Sequence, residues 1–121
     1  MRRRGIFKRV AKHMLAQDKQ SLNGSDCAYK SPEGLKCAVG CLINDENYTE
    51  ALENIPADQP QIRKAVSDSI GQPVGSQDAE WLTELQHIHD YDPPTDWKWL
   101  LNSFAEKHFN GKDLYDLGVI E

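Results

Sequence analysis

The chain has 121 residues, 39% hydrophobic and 27% charged, with a formal charge of −5 at neutral pH. That length sets one domain able to bury roughly two-thirds of the surface its unfolded chain exposes. No apolar run approaches the roughly 20 residues of a membrane span, so a membrane partner is excluded at this level.

The net charge conceals a split. Residues 1–20 carry seven Lys or Arg and one Asp, a charge of +6; residues 21–121 carry seven against eighteen, a charge of −11. Six of the cations, Arg2, Arg3, Arg4, Lys8, Arg9 and Lys12, lie in the first twelve residues. Charge separation of this kind steers a molecule toward a charged partner. The basic start is not read as a secretory signal, because Lys8, Arg9, Lys12 and His13 interrupt its apolar region. Three cysteines is an odd number, and they are read as reduced thiols in a cytoplasmic protein.

Ile6, Phe7, Val10, Ala11, Met14 and Leu15 recur at helical spacing, predicting an amphipathic helix of about three turns with Lys8, Arg9 and Lys12 on its wet side. Residues 1–5 are expected to be a disordered basic start. Ser21 to Asp26 is a turn-rich break. Ser31-Pro32-Glu33-Gly34 then reads as the loop of a β-hairpin over residues 27–37, pairing Lys30 with Leu35. Cys37 to Ile43 is a short apolar run, read as a buried helix with a strand as the alternative.

Thr49 to Asn54 predicts a short helix capped by Thr49. A stronger one begins near Pro60, buries Ile62, Ala65, Val66, Ser69 and Ile70, and stops at Gly71. Ser76 is expected to cap a helix whose stripe is Trp81, Leu82, Leu85, Ile88 and His89, ending before Pro93-Pro94. Thr95 or Asp96 begins the last long helix, with Trp97, Leu100, Leu101, Phe104, Ala105 and His108 inward and Gly111 as its stop. A further turn is expected within Asp113 to Ile120. The sum is a mainly α fold: one small helical domain, residues 1–121, of about five short helices with a hairpin insert.

The predicted hairpin register brings Cys27 near Cys37, and Cys37 and Cys41 stand one helical turn apart, so the three sulfurs are placed to converge. With His89 as fourth donor, alongside His13 and His87 as alternatives, they would form a Cys3His zinc site. The spacing lacks a C-x-x-C knuckle, and packing of three small core residues is the favoured reading. A third alternative makes Cys37 a thiolate nucleophile at a helix N-terminus, with His87 or His89 as base and Asp90 as orienter. His87 and His89 diverge by about 200 degrees on a helix and cannot share one ion. His89 and His108 are read as core, His13 and His87 as surface. Asp90, Asp92 and Asp96 lack the glycine and glutamate of a helix-loop-helix calcium site and are read as a solvated loop. No phosphate loop, dinucleotide glycine pattern or G-x-S-x-G elbow is present.

The segments Val10 to Gln17 (VAKHMLAQ), Cys27-Ala28-Tyr29, Gly34 to Tyr48 (GLKCAVGCLINDENY) and Leu85 to Asp90 (LQHIHD) together resemble small proteins encoded by bacterial viruses and some bacteria. Asn44 stands where that group carries proline. The resemblance implies a viral accessory role in the bacterial cytosol and transfers no catalytic residue. The expected function is therefore non-enzymatic docking on a host protein or assembly, with Arg2, Arg3, Arg4, Lys8, Arg9 and Lys12 as partner-binding residues. The alternatives are a zinc-binding or cysteine-dependent protein built on Cys27, Cys37, Cys41 and His89, and nucleic-acid binding through phosphate contacts of the basic helix. No cofactor is expected unless zinc fills that site.

Overall fold

The computed structural model covers residues 1–121. Four α-helices carry the fold: α1 (Arg3–Gln17), α2 (Pro60–Ile70), α3 (Ala79–Tyr91) and α4 (Pro94–His108). Between α1 and α2 lie a two-stranded antiparallel hairpin, β1 (Leu22–Asn23) with β2 (Asp26–Cys27), and 3-10 turns at Gly40–Leu42, Asp45–Asn47 and Glu50–Leu52. A fourth 3-10 turn, Ser76–Asp78, leads into α3. No helix is long and apolar enough to cross a membrane.

One cluster of 26 buried residues, drawn from all four helices, the irregular middle and the C-terminal tail, forms a single core. Its centre is aromatic. Phe7 of α1 stacks on Phe104 of α4 at 5.3 Å, Trp81 of α3 meets Phe104 edge-on at 5.5 Å, and Phe109 closes on Phe7 at 5.4 Å. Each such pair adds to simple burial. Trp97, fully buried, donates its indole N–H to the Asp92 carbonyl and so fixes the turn between α3 and α4.

Helix ends follow the local chemistry. Pro60 opens α2, and Gly71, at φ +68°, closes it by donating to the Ser67 carbonyl. Pro94 opens α4, one residue before the expected Thr95. Gly111 donates to the Glu106 carbonyl beyond its end. Of the residues expected to face inward, Leu15, Ser69, Ile70, Leu100 and His108 are only half-buried. Ser76 is not the cap of α3; Asp78 accepts from the Gly75 amide instead. Thr49 likewise makes no capping bond, and its segment shrinks to the turn Glu50–Leu52. Residues 113–120 form turns that bury Leu114 and Leu117 without becoming a helix. The basic start, expected to be disordered, is helical from Arg3, where its side chain is held by an ion pair.

The mainly helical fold with a small hairpin agrees with the sequence, but the hairpin falls earlier, around Gly24-Ser25 instead of around Ser31–Gly34. The latter loop closes only an isolated bridge, Lys30 with Lys36, one residue away from the expected register. The Cys37 to Ile43 run is not a helix either. It makes one Cys41-to-Cys37 backbone bond and then a 3-10 turn.

What holds that run in place is a set of polar side chains from distant elements. His13 and Gln17 of α1 clamp the Lys36 peptide: Gln17 Oε1 accepts from its amide at 3.0 Å, while Gln17 Nε2 and His13 Nε2 donate to its carbonyl at 2.8 and 2.9 Å. His13, expected at the surface, is therefore half-buried. Burial pushes His13 below its ordinary value; the bond to the Lys36 carbonyl opposes this, and the nearby charges of Lys36 and Arg9 add to the lowering. A histidine favoured neutral in the fold contributes stability that is complete above its unfolded pKa and is lost as pH falls through the lowered folded value. Urea unfolding between about pH 7 and pH 5 should show wild type losing more stability than His13→Gln; equal losses would remove this linkage.

Candidate functional site

Two regions carry chemistry: the exposed side of α1, and the junction where β2 meets the end of α3.

On α1 the apolar residues Ile6, Phe7, Val10, Ala11 and Met14 face the core, which turns Arg4, Lys8, Arg9 and Lys12 outward. Arg4, Lys8 and Lys12 repeat every fourth residue and so form one ridge. Of the six cations read from sequence, only Arg3 is neutralised. Its guanidinium reaches the buried Asp78 carboxylate at 2.9 Å and the Gln77 carbonyl at 3.1 Å, and lies over the Trp81 ring. Arg9 donates to the Cys41 carbonyl at 3.1 Å, a contact that leaves its charge unpaired. Arg2, Arg4, Lys8, Arg9 and Lys12 have no carboxylate within ion-pair distance. Lys8 runs beside Gly118 of the C-terminal tail, whose Tyr115 and Ile120 line a hollow with Trp99 of α4. Trp99 and Tyr115 are 70% and 65% exposed, unusual for rings of that size.

At the second region the three sulfurs do not converge. Cys37 is fully buried and its Sγ accepts from the Gly40 amide, while the Cys41 thiol donates to the Ala38 carbonyl. Cys27 instead joins His89 and Asp90, their donor atoms lying within 4.8 Å of one another. The expected set of Cys27, Cys37, Cys41 and His89 thus breaks apart, because it rested on a hairpin register and a helix that the chain does not adopt.

His89 is fully buried and both of its ring nitrogens are engaged. Nε2 accepts from the Ser21 amide at 2.9 Å, so the proton lies on Nδ1, which donates to Asp90 Oδ1 at 2.7 Å. The ring stacks on Trp97 at 5.4 Å. A metal ion entering here would have to break one of those two bonds. The thiols are also poorly suited to nucleophilic attack. Burial, then the Asp90 carboxylate, pushes Cys27 up to about 11; burial pushes Cys41 up to about 12 against the pull of Arg9 and Lys36, and drives Cys37 up as well. A nucleophilic cysteine needs the opposite shift.

No family model, curated protein or solved structure matches this chain.

Sequence reasoning missed the residues that organise this junction. Gln86, buried on α3, accepts from the Val39 amide at 2.9 Å and donates to Asp90 Oδ1 at 2.9 Å. Glu53 accepts from the amides of Tyr29 and Lys30 and from the Tyr48 hydroxyl. Tyr29 in turn donates its hydroxyl to the Ile55 carbonyl. His13 and Gln17 of α1 and Gln86, His89 and Asp90 of α3 thus pin residues 20–40 to the helices, while Tyr29 and Tyr48 tie that stretch to residues 53–55. Their visible work is structural.

Proposed function

We propose that this protein is a non-enzymatic accessory factor, of the bacteriophage kind its sequence resembles, that docks on a host protein or assembly bearing an acidic surface. The observation that carries this reading is the set of five cations, Arg2, Arg4, Lys8, Arg9 and Lys12, that the fold leaves without acidic partners at one end of a molecule whose remainder is net negative. A free charge array of that kind supplies encounter rate and orientation. The exposed Trp99 and Tyr115, beside the tail that passes Lys8, supply the aromatic anchors on which interface energy usually concentrates. The engaged ring of His89 and the raised thiols weigh against a cysteine-dependent or zinc-dependent activity. Nucleic-acid binding would use the same cations, with the acidic remainder opposing it.

The experiment compares wild type with Arg4→Glu, Lys8→Glu, Lys12→Glu as bait in bacterial lysate. None of the three side chains belongs to the buried core, so the variant should fold. Wild type is expected to retain a stoichiometric protein that the variant loses and that rising salt releases. No retained protein at any salt would overturn the reading, and capture abolished by nuclease would hand it to nucleic acid.

A further inference from the structure

A cleft of about 410 Å³ opens between α3 and the segments at residues 27–29 and 54–58. It lies apart from the basic face, and no step of the docking proposal uses it. One side of α3 forms its wall, because Thr83, Gln86, His87, Asp90 and Tyr91 recur at helical spacing. Asp58 faces them from the loop before α2.

The lining holds two carboxylates, Asp58 and Asp90, and no lysine or arginine. Arg63 is close, but its guanidinium donates to the Asp58 carbonyl at 3.4 Å, not to the carboxylate. Both hydrogen bonds to the Asp90 carboxylate fall on Oδ1, so Oδ2 keeps its acceptor capacity. Thr83 Oγ1 is buried and has no hydrogen-bond partner. An unmet buried hydroxyl is costly and uncommon, and turning the Thr83 side chain toward the cleft would let an entering donor relieve it. At the rim His87 and Tyr91 meet edge to face at 4.9 Å, with Tyr91 76% exposed, offering ring faces that attract cations. Two groups in the lining are raised by burial and then by nearby carboxylates: the Cys27 thiol by Asp90, and the Tyr29 hydroxyl by Asp90, Glu53 and Asp58.

We propose that this cleft binds a guanidinium or alkylammonium group, with Asp58 and Asp90 supplying the opposing charge, Thr83 Oγ1 accepting a hydrogen bond, and Tyr91 packing over the cation. The group belongs either to a free amine or to a basic side chain of a peptide. Both present the same N–H donors on an apolar stem.

The test is an NMR titration of the full chain with agmatine, with N-acetyl-arginine amide, and with neutral N-acetyl-citrulline amide. The two cations are expected to give saturable shifts confined to residues 27–29, 54–58 and 83–91, and the citrulline compound none. Whichever cation binds tighter identifies the source. Asp58→Asn alters an exposed side chain and Thr83→Val keeps the shape, so both should fold; at least one should weaken binding about tenfold, the loss of one charged or buried partner. Asp90→Asn is a weaker choice because Asp90 also orients His89 and Gln86. The proposal falls if neither cation saturates, if the citrulline compound gives the same shifts, or if both variants bind as wild type does.

Discussion

Gly40→Ala is expected to lose about 3 kcal/mol or more of stability, enough to leave a small domain largely unfolded. A Cβ at Gly40 would stand 2.0 Å from the Tyr29 carbonyl oxygen and 2.8 Å from its carbon. Those are backbone atoms that cannot swing aside. Tyr29 is fixed by the Glu53 carboxylate on its amide and by the Cys37 amide on its carbonyl. The Gly40 amide is itself committed to the Cys37 sulfur. Gly5 provides the contrast. It lies in α1 with nothing within 4 Å of the Cβ position, so Gly5→Ala should stabilise by about 0.5–1 kcal/mol through helix propensity alone. Chemical denaturation of both variants reads the difference. If Gly40→Ala unfolds within about 1 kcal/mol of wild type, the close approach of residues 29 and 40 is wrong.

That approach marks the boundary of what the sequence could disclose. Helix α2 was legible because each end is announced by a residue with one job, Pro60 at the start and Gly71 at the stop, and its apolar positions share a face. The separation of α3 from α4 was legible for a similar reason, Pro93-Pro94. The Cys37 to Ile43 run carries no such marks. Being apolar almost throughout, it has no period to choose helix over turn, and its conformation is set by Gln17, His13 and Gln86 from elements 19 to 47 residues away. The hairpin had a signal that was outweighed: Gly24-Ser25 is a two-residue turn with Gly24 at φ +65°, but the Pro and Gly of the next loop drew the pairing there. With neither that hairpin nor the helix after it formed, the expected cysteine cluster scattered.

The two candidate surfaces differ in the same way. Cations free on α1 follow directly from charge and helical spacing, since a basic residue off the apolar stripe must face solvent unless an acid finds it. Only Arg3 was found by one, Asp78, from 75 residues away. The cleft, by contrast, assembles Cys27, Asp58, Thr83 and Asp90 from three separate stretches of chain, and no local pattern joins them.

His89→Leu is expected to cost about 3 kcal/mol, more than the loss of side-chain packing alone, since leucine can fill the site but not its bonds. Ser21 is fully buried, and its amide would lose its acceptor Nε2; Asp90 Oδ1 would lose one of two donors. The stack on Trp97 would go as well. Asp90→Asn should cost less, because an amide oxygen still accepts from Nδ1 and the Ser21 bond survives. The ordering therefore separates the two halves of the network. Urea unfolding gives the energies, and hydrogen exchange at the Ser21 amide gives the location: protection there should collapse toward the exposed limit in His89→Leu and persist in Asp90→Asn. Unchanged protection in His89→Leu would mean that Nε2 does not accept from Ser21, and the assigned tautomer would fall with it. Because Asp90 also forms the wall of the cation cleft, His89→Leu should weaken agmatine binding even though His89 itself does not line it.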